Sequence, residues 1–133
     1  MVKPIHIKPY DTLEECFCEF LEINSVDEIG DKDYWSGYNG SKPFRINIKK
    51  WLTSTNYKCW GWVEYKTKTV HLWIDNDCGM DELVSTIAHE VAHLNKPRFK
   101  DKKEEEKKAN KYAEVANMAY NFAKTYIELR EVT

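Results

Sequence analysis

The strongest constraint on this chain is a helical pattern that breaks once and resumes. Leu83, Val84, Ile87, Ala88, Val91 and Leu94 recur at the spacing of one helix face, and Asp81 and Glu82 favour that helix's N-terminus. His89, Glu90 and His93 ride on the same helix as an H-E-x-x-H pattern. Asn95 and Pro97 then stop it. From residue 101 to residue 133 there is neither Gly nor Pro, and Ala109, Tyr112, Ala113, Ala116, Ala119, Tyr120 and Ala123 return at helical spacing. So short a break implies a helical hairpin, and the small alanines allow close helix packing. Residues four apart share a helix face, so the imidazoles of His89 and His93 can reach one metal ion. Glu90, beside the first of them, stands where a general base is needed for a metal-bound water.

Two histidines leave such a site incomplete, because a catalytic zinc usually takes three protein ligands and one water. The long pattern with a third histidine six residues after the second is excluded, since that position is Phe99 and the glycine it needs is Lys96. A carboxylate from the second arm is the alternative. A tight turn centred near Arg98 and Phe99 pairs residues whose numbers total about 197, which puts Glu106 level with the two histidines. Glu114 lies roughly 12 Å further along the axis, at 1.5 Å per residue. Glu106 shares a side with Asn110 and Ala113, and Glu105 with Ala109 and Tyr112, so facing alone does not choose between them. Asn110, one turn beyond Glu106, is placed to orient a ligand histidine, which favours Glu106 and leaves Glu105 as runner-up. The rest of the charged run 100–108 reads as a solvated helix start, with Asp101 and Glu104 at capping-box spacing.

Upstream, the pattern predicts an N-terminal helix over residues 11–23, with Thr12 and Glu15 as a capping box, and a weak strand over 2–8. Residues 25–42, with Gly30, Gly37 and Gly40, read mostly as loop. The alternating Phe44, Ile46 and Ile48 predict a strand. Residues 57–65 and 69–75 predict a hairpin around Lys66, Thr67 and Lys68. Trp60, Trp62 and Trp73 fall on it and are expected to pack as sheet-face core rather than form a stacking platform. These elements make one α+β domain over residues 1–133: an N-terminal helix, a short antiparallel or mixed sheet, then the helical hairpin.

Composition narrows the partners. A net charge of −2 gives no reason to expect nucleic acid. No apolar run is long enough to span a bilayer, and the N-terminus lacks the apolar stretch of a signal peptide. Cys16, Cys18, Cys59 and Cys78 form no C-x-x-C pair, so buried free thiols in a reducing cytoplasm are expected. Phe122, Tyr126 and Ile127 lie beyond the metal level, available either to cover the sheet or to form a homodimer contact. His6 has no visible partner.

His89-Glu90-Val91-Ala92-His93, followed by Glu106-Lys107-Lys108-Ala109-Asn110-Lys111-Tyr112-Ala113, resembles the zincin metallopeptidases of the gluzincin type, and most closely the ImmA/IrrE-type family. The resemblance covers about residues 83–119. It implies a small zincin-like domain, a Zn2+ cofactor held by His89, His93 and Glu106, Glu90 as catalytic base, and a polypeptide substrate. In zincins the strand before the metal helix pairs with extended substrate, and residues 70–75 resemble that edge strand. The chain departs from the family at Ala92, where Gly is frequent, and at 117–120, which run on without the Leu-Leu-x-Pro ending. It shows no helix-turn-helix segment, so a small stand-alone zincin of a phage or other mobile element describes it equally well. His71, Tyr65, Tyr112 and Tyr120 are the candidates for stabilising a tetrahedral intermediate. The alternative function is a non-enzymatic interaction or virion-associated protein that keeps a zincin-like metal site.

Overall fold

The structure, a computed structural model, describes residues 17, 20, 21, 23, 25–29, 32–36, 44–50, 58–95 and 98–132. Four strands form one mixed sheet: β1 (Lys32–Ser36), β2 (Phe44–Lys50), β3 (Cys59–Glu64) and β4 (Thr69–Ile74). Two helices follow, α1 (Met80–Leu94) and α2 (Lys102–Val132). The architecture is α+β. The expected strand over 2–8, the capping box at Thr12 and Glu15, His6, Cys16 and Cys18 lie outside the described residues. Of the expected N-terminal helix only Phe17 is described as helical, and Phe20 and Leu21 already lie in a turn.

The strand order is β1-β2-β4-β3. β1 pairs antiparallel with β2, β2 parallel with β4, and β4 antiparallel with β3. The hairpin forms as expected, with Glu64 opposite Thr69 and a four-residue turn whose last residue, Lys68, has φ 54°. Two expectations change. β1 falls inside the stretch read as loop, because its pairing with β2 stabilises a segment whose own pattern is weak. The edge strand beside α1 is β3. The strand over 70–75 is interior, hydrogen-bonded on both sides. Sequence alternation reports which face a residue occupies, not where its strand stands in the sheet.

Alternation sorts the sheet into two faces. Ile46, Ile48, Val70, Leu72 and Ile74 are fully buried on the inner face, where α1 packs with Leu83, Val84, Ile87, Ala88 and Val91. Trp60, Trp62, His71 and Trp73 occupy the outer face in cross-strand pairs, Trp60 with Trp73 and Trp62 with His71. Trp60 and Trp62 are exposed there, so they are not the sheet-face core that was expected. The apolar side chains of α1 fill the opposite face instead.

α2 packs against α1 with Ala109, Tyr112, Ala113, Ala116 and Tyr120 buried. Asn117 donates to the carbonyl of Asp81 (3.0 Å), within one residue of the expected antiparallel register. The Oδ1 of Asp101 accepts the Lys103 N–H and caps α2. Phe122 and Tyr126 are exposed and do not cover the sheet. Among the described residues no helix is long and apolar enough to cross a membrane.

Candidate metal centre

α1 and α2 bring one residue of the second arm against both histidines of the first. Glu106 Oε1 lies 3.1 Å from His89 Nε2, and Glu106 Oε2 lies 3.1 Å from His93 Nε2. The two imidazoles meet edge to face, with ring centroids 5.0 Å apart. One donor atom from each of His89, His93 and Glu106 falls within 4.8 Å of the others. Bonds of about 2 Å to one ion place two donors at most about 4 Å apart. The observed spread is only slightly wider, and two imidazoles with one carboxylate are a donor set that zinc and other divalent transition metals accept. The group could hold a metal ion.

Glu105, the runner-up, has a different place. Its Oε2 sits 2.8 Å from His93 Nδ1, and its Oε1 accepts the backbone N–H of Phe99 at 2.9 Å. Lys108 Nζ closes on the same carboxylate at 3.1 Å. Burial opposes ionisation of Glu105, but the Phe99 amide, His93 and Lys108 together hold its carboxyl at about 2. An ionised Glu105 can accept the N–H of His93 Nδ1, and with that nitrogen as donor a bound metal would be met by Nε2. Facing on the helix could not separate the two glutamates, because both reach His93, each from its own side. Asn110 lies beside His89 as expected. Burial lowers the pKa of His89, against the opposing pull of Glu106 and Asn110.

Glu90 is half-buried under β3. A Cβ built on Gly61 would stand 3.1 Å from Glu90 Cγ and 2.7 Å from Leu72 Cδ2. Glycine at position 61 is therefore what lets the edge strand approach the glutamate. Burial pushes the Glu90 carboxyl up to about 7, with His93 pulling it down and Glu106 pushing it further up.

No family model, curated protein or solved structure matches the chain.

Of the four expected oxyanion donors, only Tyr65 borders the site, in a cleft shared with His93, Glu105 and Glu106. His71 is turned to the outer face, where its Nε2 meets Glu64 Oε1 at 3.0 Å and Trp62 stacks on its ring. Tyr120 is buried and donates its hydroxyl to the carbonyl of Phe20 at 2.9 Å, and Tyr112 is buried in the core. Arg98 is the residue that sequence reasoning missed. Its guanidinium lies 4.1 Å from the centroid of the Tyr65 ring, and both residues line the cleft. Nothing short of the hairpin's tertiary placement marks it in the sequence. Cys59 and Cys78 are both free, as expected, with Cys78 buried and Cys59 half-buried.

Proposed function

We propose that the protein is a zinc-dependent metallopeptidase of the gluzincin type, with His89, His93 and Glu106 as zinc ligands and Glu90 as general base. The observation that carries this reading is the position of Glu106, which faces Nε2 of both histidines while Glu105 holds the far side of His93. A bound zinc ion would supply a Lewis acid that lowers the pKa of water towards neutrality and polarises a carbonyl. The chain's own residues supply the rest. Glu105 and Asn110 orient the imidazoles, which keeps both Nε2 atoms directed at one point. Glu90 takes a proton from water and returns it to the leaving amine, from its half-buried place under β3 and next to His89.

β3 is the edge strand beside Glu90, and one side of it has no strand partner among the described residues. An extended peptide adding to that edge would bind through its backbone, with little sequence preference of its own. This supports an endopeptidase acting on unstructured polypeptide.

The test is cleavage of an unfolded protein substrate by zinc-loaded wild type and by Glu90→Gln. The variant should retain zinc and fold while losing cleavage. Equal cleavage by the two would remove Glu90 from the mechanism. No cleavage by either, with zinc retained in both, would favour the non-enzymatic alternative.

A further inference from the structure

The cleft that Tyr65 shares with His93 and Glu106 has a volume of about 500 Å3 and is also lined by residues 98–100 and Lys102. Three cations line it: Arg98, Lys100 and Lys102. None of the three makes an ion pair among the described residues. The two carboxylates of the cleft are differently placed. Glu105 is matched by Lys108 and His93, and Glu106 is set against the two histidines. With three cations against two carboxylates, the lining carries excess positive charge beside the proposed metal ligands His93 and Glu106.

Arg98 is also held in position. Its contact with Tyr65 steadies the guanidinium without occupying it with a carboxylate. The amide of Phe99, the next residue, is tied to Glu105, the same carboxylate that holds His93. One side chain thus links the placement of the cation to the placement of the metal ligand. The Phe99 ring, 44% exposed, offers an apolar surface for the methylenes of a bound side chain.

We propose that this cleft recognises an acidic side chain of the polypeptide substrate close to the scissile bond, with Arg98 binding the carboxylate and Lys102 adding electrostatic support. The inference rests on the metallopeptidase reading, and binding measurements separate the two. The carrier is the zinc-loaded Glu90→Gln protein. The probes are three dye-labelled, blocked 12-residue peptides of Ala and Ser (about 40 Å when extended) that differ only in one central Glu, Gln or Lys. By fluorescence anisotropy the Glu peptide should bind about tenfold more tightly than the Lys peptide, the scale of one charge-assisted contact. Adding Arg98→Gln should erase the preference, Arg98→Lys should keep part of it, and Arg98→Glu should invert it. Equal binding of the three peptides, or a preference that survives Arg98→Gln, overturns the proposal. Mapping the cut sites of wild type on an unfolded protein completes the test. Cuts clustered beside Asp and Glu support the proposal. Cuts with no acidic preference overturn it and leave the metallopeptidase reading standing. Preferential binding of the Glu peptide without cleavage by wild type supports the carboxylate site and overturns the metallopeptidase reading.

Discussion

Gly61→Ala adds one methyl group between the edge strand and Glu90. That methyl would meet Leu72 Cδ2 at 2.7 Å, Glu90 Cγ at 3.1 Å and the carbonyl oxygen of His71 at 3.3 Å. Carbon atoms rest at about 3.5–4.0 Å, so the Leu72 contact is roughly 1 Å too short. Leu72 is fully buried, between Val70 and Ile74 on the face covered by α1, and has no solvent to move into. Overpacking of this kind costs about 1–3 kcal/mol. For a chain of 133 residues that lowers Tm by roughly 3–15 °C. Part of the strain is relieved by moving Glu90, and a misplacement near 1 Å costs a catalytic group about 100-fold in rate. The proposed zinc ligands lie on α1 and α2, so zinc content should not change. Differential scanning calorimetry and cleavage of an unfolded substrate, both on zinc-loaded protein, read the two effects. A variant whose Tm and cleavage rate match wild type would refute the close packing of β3 on Glu90.

Two further outcomes follow from the same geometry. Glu105→Gln keeps the shape of the side chain but removes the charge that fixes His93, and zinc affinity measured by chelator competition should fall about 10–100-fold. Glu104→Gln, one residue away and exposed, should leave that affinity unchanged. In metal-free protein the Glu90 carboxyl titrates near 7 when folded and near its ordinary 4.5 when unfolded. Its folded pKa is the higher one, so the folded state holds a proton the unfolded state releases, and stability falls as pH rises between those values. Thermal unfolding of wild type and Glu90→Gln in a chelator should therefore show the variant gaining relative stability from pH 5 to pH 8. A constant difference across that range would mean that Glu90 is not buried as the structure has it.

The helical hairpin was legible because its information is local. The apolar spacing of Leu83 to Leu94, the stop at Asn95 and Pro97, and the alanine stripe of α2 each report on a single helix. The register followed from the short link and put Glu106 level with the histidines, Asn110 favoured it over Glu105, and the structure places it against both histidines. The remainder depended on tertiary partners. β1 carries little alternation of its own and becomes a strand by pairing with β2. The edge place of β3 and the interior place of β4 could not be read from alternation, which reports the face a residue occupies and not the order of strands. Trp60 and Trp62 have strong strand propensity, but propensity does not say which face a second layer covers. The division of labour between Glu105 and Glu106 turns on two nitrogens of one imidazole, which lies below the resolution of a helical wheel.

Metal content is the most direct test of the account. Protein purified without chelator and dialysed against trace zinc should carry about one zinc per chain by inductively coupled plasma mass spectrometry, as one three-ligand site requires. His89→Ala and Glu106→Ala should lose it while remaining folded by circular dichroism. A wild-type protein that is folded yet free of metal, or a Glu106→Ala variant that keeps a full equivalent, would contradict the account.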